Sequence, residues 1–216
     1  MYWRFFYKHM ESDPFLDKQK IKLHCILSAL MNLLVVIMQI VSISIRHWGH
    51  YCYFTWGLVE AKTTTDGLEH RISGYNYYSD IDDHMCGGYK HVIDAACPDF
   101  CEFVQRMKAA GIVMIIFQVL SCAINIFYIV IHLQMYFGRY KHNAVFYYGV
   151  WAPSIIFIMG LTFFLSISNF YGTENTWKHS QNIKTGPGLA LSFSILVLNF
   201  LPAIHSYIFT SSKLYK

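Results

Sequence analysis

Residues 23–45 read LHCILSALMNLLVVIMQIVSISI and contain no Lys, Arg, Asp or Glu. Such a run exceeds the roughly 20 residues with which an α-helix crosses about 30 Å of hydrocarbon. A helix is the expected structure, because it satisfies its backbone polar groups internally. The run is longer than the core of a cleavable signal peptide, and both acidic and basic residues precede it. We therefore expect it to remain as a membrane anchor.

Three further runs lack these charged residues, at 109–138, 142–173 and 185–212. Charged residues make up 14% of the chain, against about a quarter in a typical soluble domain. The sequence therefore predicts an all-α membrane protein, a four-transmembrane-helix bundle with a small disulfide-linked extracellular β-sheet. The predicted segments are the spans 23–45, 106–136, 144–168 and 186–209, the outer loops 46–105 and 169–185, and the cytoplasmic segments 1–22, 137–143 and 210–216.

The distribution of basic residues predicts the orientation of the chain. Five basic residues lie within positions 1–22, and the short turn near Arg139 and Lys141 has no acidic residue. Since cytoplasmic loops carry the excess of Lys and Arg, both termini are expected in the cytoplasm and loop 46–105 outside. The basic residues are scattered beside the membrane ends, so nucleic acid is not an expected partner.

Loop 46–105 is rich in aromatic residues, which favour strands and membrane interfaces. The turn signal at Asp66 and Gly67 separates two strand-like parts, so a small antiparallel sheet is predicted there, followed by a helical segment from Val92. Aromatic side chains of this type dominate protein interfaces, although some must fill the core of the loop itself. The predicted partner-binding residues are Trp48, Tyr51, Tyr53, Phe54, Trp56, Tyr75, Tyr77 and Tyr78.

Four of the six cysteines, Cys52, Cys86, Cys97 and Cys101, fall in this loop. An even number outside the cytoplasm predicts two disulfides, for which three pairings exist. Cys97 and Cys101 stand four apart, so in a helix each reaches another segment more easily than the other. We expect them to tie the helical end of the loop to the Cys52 strand and to the Cys86 segment.

Other chemistry for these cysteines has weaker support. Cys86, Cys97 and Cys101 with His84 or His91 are zinc-ligand types, but the paired CxxC motifs of structural zinc sites are absent from the sequence. We expect no metal and no cofactor. A membrane thiol oxidoreductase is the alternative from another class. Its CxxC pair is one residue shorter than the CPDFC segment.

The acidic segment of the loop suggests two further chemistries. Residues 82–86, DDHMC, come close to the DHHC signature of palmitoyl transferases, but Met85 replaces the second His and the segment is expected outside. Cation binding would use Asp80, Asp82, Asp83, Asp94 and Asp99. A solvated face is the expected role, because no Asp-x-Asp-x-Asp calcium loop is present in the sequence.

No constellation in the sequence points to an enzyme or to a small-molecule substrate. A transporter is disfavoured because the four uncharged runs at the core of the predicted spans contain no Asp, Glu, Lys or Arg.

Polar and small residues within the spans indicate which helix faces pack together. Residues seven apart on a helix share a face, and interhelical hydrogen bonds and small residues mark packed faces. His205 is likewise expected to be a hydrogen-bonded bundle residue. The predicted helix-packing residues are Asn32, Gln39, Gln118, Asn125, Gly188 and Ser192.

The order of spans and loops, together with local residues, resembles the claudin and peripheral myelin protein superfamily. Trp48 with Trp56, Gly57 and Leu58 is similar to the family's Trp…Gly-Leu-Trp at the start of the first loop. Arg106 is similar to the family's Arg before the second span, and residues 184–188 resemble its Gly-containing start of the fourth. The family's paired cysteines directly follow this motif, whereas Cys52 here precedes it.

The resemblance implies a left-handed four-helix bundle with an outer sheet and a place in the plasma membrane. Its function is expected to be non-enzymatic, through an outer loop that binds other membrane proteins or copies of the same chain. Because the paired-cysteine pattern is displaced, we expect an accessory or assembly subunit of a membrane complex. A self-assembling cell-junction or barrier protein is the alternative.

Overall fold

The computed structural model describes residues 14–51, 54–63, 75–88, 90, 97, 99–138, 149–168 and 184–211. The described helices are α1 (Pro14–Ser44), α2 (Tyr78–Ile81), α3 (Phe100–Tyr136), α4 (Ala152–Ser168) and α5 (Pro187–Ser211). A π-helical turn, Asp82–Cys86, follows α2 directly. The strands are β1 (Gly49–Tyr51), β2 (Phe54–Trp56), β3 (Glu60–Thr63), β4 (Tyr75–Tyr77) and β5 (Lys184–Thr185).

Three helices are long and apolar enough to cross a membrane, as expected of an integral membrane protein: Lys18–Ser44, Phe100–Tyr136 and Pro187–Ile208. They confirm three of the four predicted spans by length and composition. The fourth predicted span, 144–168, corresponds to the shorter apolar helix Ala152–Ser168. The residues before it, 139–148, lie outside the described residues.

The four long helices alternate in direction along the bundle. The start of α3, the end of α4 and the start of α5 lie with the end of α1 against the sheet, and we call this the sheet end. At the opposite, far end, His24 of α1 contacts both His132 of α3 and His205 of α5. Helix α1 packs against α3 and α5, and α4 packs mainly against α3. Large apolar side chains remain exposed on the outside of these helices, as in a bundle surrounded by lipid.

The sheet is antiparallel where its strands pair, in the order β4-β3-β2-β1-β5. Strands β1 to β4 come from the predicted first loop, so the sheet expected there is present. Strand β5 comes from the predicted second loop, for which no strand was predicted, and it pairs His50 with Lys184. The sheet thus joins two segments that are far apart in sequence.

Helix α3 begins at Phe100, six residues before the predicted span that starts at 106. Its first turns leave the bundle and lie beneath the sheet, where Phe100 stacks on Phe54 and Phe103 stacks on Tyr51. Because these aromatic contacts bury the first turns, the helix continues past the end of the uncharged run. Asp99, just before it, has a left-handed φ of 61°.

Candidate functional site at the sheet end

The sheet rests on the bundle through a buried aromatic core. Phe54 lies 4.1 Å from Phe100 and Tyr51 lies 4.4 Å from Phe103, measured between ring centroids. Stacked and edge-on aromatic pairs add to the free energy gained from burial. These contacts fix the position of the sheet relative to α3.

Trp48 connects the sheet to three helices. Its indole N–H donates to the carbonyl oxygen of Ser42 in α1 at 3.2 Å, and its ring centroid lies 5.4 Å from that of Phe164 in α4. Gly188 of α5 packs so closely on the indole ring that a Cβ at this position would overlap it. Trp48 is therefore packed against α1, α4 and α5 and is completely buried.

The residues that carried the family resemblance meet at this junction. The Trp48 carbonyl accepts from the N–H of Gly186 at 2.7 Å, and Gly57 donates to the Glu60 carbonyl, also at 2.7 Å. The Leu58 carbonyl lies against Gly111 of α3. Arg106 pairs with Glu102, one turn earlier on the same helix. The Trp, Gly and Leu residues of the motif thus hold the sheet against the helical bundle.

Most of the predicted partner-binding residues belong to this core. Five are between 0% and 2% exposed, which leaves them no surface for a partner in this conformation: Trp48, Tyr51, Phe54, Trp56 and Tyr78. Tyr77 is 61% exposed. Tyr53 and the side chain of Tyr75 lie outside the described part of the chain. Among the described aromatic side chains of this set, only Tyr77 is exposed, and its role in partner binding stays a prediction.

One disulfide joins the helical end of the loop to the Cys86 segment, as predicted. Cys86, at the end of the π-helical turn, is bonded to Cys101 in the first turn of α3, with 5.6 Å between the Cα atoms. Cys97 is also disulfide-bonded, and Cys52, the remaining cysteine of the loop, lies outside the described residues. Because Cys101 bonds Cys86, the Cys97–Cys101 redox pair of the oxidoreductase hypothesis does not form in this structure.

An open cleft lies beside this disulfide. Its volume is about 360 Å³. The Asp82 carboxylate at its edge accepts from Gln105 Nε2 at 3.3 Å and lies 4.0 Å from Lys108 Nζ. The neighbouring Asp83 is exposed. The lining residues are Asp82, Asp83, Cys86, Gly87, Lys90, Cys101 and Gln105.

Within the described residues, no group of three His, Cys, Asp or Glu side chains is arranged to hold a metal ion. Asp82 is engaged by Gln105, and Asp80 and Asp83 face solvent. Asp94 lies outside the described residues.

Removal of the Cys86–Cys101 bridge should loosen the cleft. In a Cys86→Ala, Cys101→Ala double variant we expect the free energy of unfolding to fall by about 2–4 kcal/mol, because the unfolded chain is no longer constrained. Cys122→Ala, which removes a free cysteine of α3, is the control. Thermal unfolding in detergent measures both. Equal stability of the double variant and the control would contradict the prediction. Peptide mapping of the wild type should also recover a Cys52–Cys97 link.

The buried phenol of Tyr78 should make the free energy of unfolding depend on pH. Its hydroxyl donates to the Gly57 carbonyl at 2.8 Å, and burial together with the Glu60 carboxylate raises the pKa of its phenol. A pKa higher in the folded than in the unfolded chain means that stability is full below about pH 10 and falls at higher pH. In Tyr78→Phe we expect a shallower fall between about pH 9 and 11, measured by thermal unfolding. Identical slopes in both proteins would contradict this.

The predicted helix-packing residues all lie inside the bundle. Gln39 donates to Ser121 Oγ at 2.9 Å, and Asn125 donates to Asn199 Oδ1 at 3.2 Å. Gln118 is completely buried beside Ser42, and Ser192 bonds Ser42 at 3.1 Å. Asn32 bonds the Ser28 carbonyl of its own helix, and Gly188 packs on Trp48. Polar contacts thus link α1, α3 and α5.

A cluster of histidines at the far end was not predicted. The rings of His24 and His205 stack at 4.6 Å, and His132 meets His24 edge-on at 5.9 Å. Ser28 Oγ lies 3.0 Å from His205 Nδ1, so His205 is a hydrogen-bonded bundle residue. The three histidines lie in three different apolar runs, and no spacing within any one run indicates that they meet.

No known family model matches the chain, and no curated protein matches its sequence. The structure itself defines a helical protein with three span-capable helices, a small antiparallel sheet at one end and a disulfide between the sheet region and α3.

Proposed function

We propose that this chain is a claudin-like tetraspan protein of the plasma membrane, with both termini in the cytoplasm. In this proposal its extracellular sheet region binds other proteins, and the chain is an accessory or assembly subunit of a membrane complex. In this proposal the role is non-enzymatic, and the cleft beside the Cys86–Cys101 disulfide is the protein-binding surface.

Four spans are proposed because α4 behaves as the fourth helix of the bundle. Its 17 residues reach the lower limit of about 17–25 for a spanning helix. The uncharged run 142–173 extends beyond it at both ends. Helix α4 also packs on α3 and hydrogen-bonds α5 through Ser154 Oγ and the Asn199 carbonyl, 2.9 Å apart. A helix of this length between spanning neighbours is expected to cross with them.

The observation that carries the proposed function is the acidic cleft on a rigid support. The buried aromatic core and the disulfide hold the cleft against α3, so its shape is preorganised for binding. Since most of the aromatic residues that were predicted to bind a partner are buried, recognition falls on the exposed acidic side chains around Asp83. The partner surface is expected to be basic, because complementary charges confer specificity and speed association.

Extraction of native membranes with a mild detergent, followed by sizing and mass spectrometry, tests this. We expect a fixed set of different polypeptides to co-purify in stoichiometric amounts. Asp83→Lys should reduce their recovery about tenfold, equivalent to about 1.4 kcal/mol of binding free energy. Asp17→Lys, a matched charge reversal in the first turns of α1, should leave recovery unchanged.

The two alternatives give different results in the same experiment. If only copies of this chain co-purify, the self-assembling junction protein replaces the accessory subunit. If mild reduction exposes a reactive thiol at Cys97 or Cys101 and substrate proteins become disulfide-linked to it, the oxidoreductase hypothesis replaces both. Equal recovery of partners by Asp83→Lys and wild type would contradict the role of the cleft.

A further inference from the structure

Two glutamines face each other across α1 and α3 inside the bundle. Both Gln39 and Gln118 are 0% exposed. Gln39 Nε2 donates to Ser121 Oγ at 2.9 Å, and Gln118 Nε2 donates to Ser42 Oγ at 3.4 Å. Since each serine follows the glutamine of its own helix by three residues, the four side chains form one reciprocal group. We call these four residues the glutamine–serine square.

Hydroxyl directions determine which amide atom each glutamine presents. Ser121 Oγ donates its single proton to the Pro153 carbonyl at 3.0 Å, so it can only accept from Gln39. Gln39 must therefore present its NH₂ group to Ser121. In this orientation Ser121 both donates and accepts, and the Gln39 amide is assigned accordingly.

The same reasoning applies to the second glutamine. Ser192 Oγ donates to the Gly188 carbonyl at 3.1 Å, so in its 3.1 Å bond with Ser42 it accepts. Ser42 therefore donates to Ser192 and can only accept from Gln118. With Ser192 bonded to the Gly188 carbonyl, Gln118 presents its NH₂ group to Ser42, which leaves its Oε1 as the remaining atom.

Both amide oxygens, Gln39 Oε1 and Gln118 Oε1, are buried and meet no hydrogen-bond donor among the described residues. Buried carbonyl oxygens in an apolar surrounding require a donor. The square therefore presents two acceptors and no free hydroxyl proton.

We propose that the glutamine–serine square is a binding site for an internal water molecule, which donates one proton to each amide oxygen. Water matches the site because it carries two donors, and buried waters typically bridge two to four polar groups. A bound cation fits less well, because the runs 23–45 and 109–138 contain no Asp or Glu to neutralise it. The water would connect α1 to α3 beside the two direct bonds, and it is independent of the proposed function.

Water-edited solid-state NMR of the full chain in lipid bilayers tests the site. With glutamine side chains labelled, magnetisation from water should reach the amides of Gln39 and Gln118. The backbone amide of Val35, one turn before Gln39 and 1% exposed, is the dry control. In Gln118→Met we expect the signal from water at Gln39 to fall to the Val35 level, because the second acceptor is gone.

Two results would overturn the proposal. One is an absence of transfer from water to both glutamine amides in the wild type, at the level of Val35. The other is a shift of both amide signals when Na⁺ is replaced by N-methylglucamine, which would identify a cation as the ligand. The wild-type measurements decide the question even if Gln118→Met fails to fold.

Discussion

Replacing Trp48 with alanine should lower the free energy of unfolding by about 3–5 kcal/mol, the cost of deleting a large buried aromatic side chain. Trp48 is 0% exposed, and its indole N–H bonds the Ser42 carbonyl. The substitution would leave a cavity where β1, α1, α4 and α5 meet. The sheet would then lose its packing contacts with these helices. SDS or thermal unfolding of purified protein measures the loss.

Two variants make this result specific. Tyr77→Ala removes an aromatic side chain of the same sheet that is 61% exposed, and it should change stability by less than about 0.5 kcal/mol. The loss of stability in Trp48→Phe should lie between those of Trp48→Ala and Tyr77→Ala, because phenylalanine keeps the contact with Phe164 and loses the hydrogen bond to Ser42. If Trp48→Ala were no worse than Tyr77→Ala, the junction would not hold the sheet.

Gly111→Ala is expected to be the most damaging small substitution in the chain. A Cβ at this position would overlap the backbone oxygen of Leu58, which cannot rotate away as a side chain can. Either the β2–β3 turn or α3 must move, and overpacking of this kind costs typically about 1–3 kcal/mol and occasionally more. We also expect loss of co-purifying partners, because the β2–β3 turn bonds Tyr78, which leads into the π-helical turn that lines the cleft.

The same substitution at an open position serves as the control. Gly88→Ala would place its Cβ 3.8 Å from the His84 carbonyl oxygen, which is ordinary contact. Its stability and partner recovery should equal those of the wild type. If the Gly111→Ala protein unfolds at the wild-type temperature, the β2–β3 turn does not pack closely on α3 and the prediction is wrong.

Part of the candidate site was predictable. Cys97 and Cys101 could each be expected to bond another segment, because a helical spacing of four keeps them from bonding each other easily. The aromatic residues of the loop could be recognised as important, but their role could not. Whether a tryptophan such as Trp48 faces a partner or the core depends on what packs above it, which no local pattern records.

Other features depend on segments that are distant in sequence. Strand β5 has two residues, too few for a strand signal, and it exists because β1 offers it a paired edge. A helical segment before the second span was predicted from Val92, but the stacking of Phe100 and Phe103 on the sheet was not. The histidine cluster requires three separate helices to come together at one level of the bundle.

The sequence by itself determined the membrane helices and the presence of a cysteine-linked sheet region, because long uncharged runs and strand-forming aromatic residues act locally through hydrophobicity and backbone preference. Only the tertiary structure decided which aromatic residues are buried, which cysteines pair, and that Gln39 and Gln118 share one polar site. These outcomes depend on distances between side chains of different helices and strands, and packing alone sets those distances.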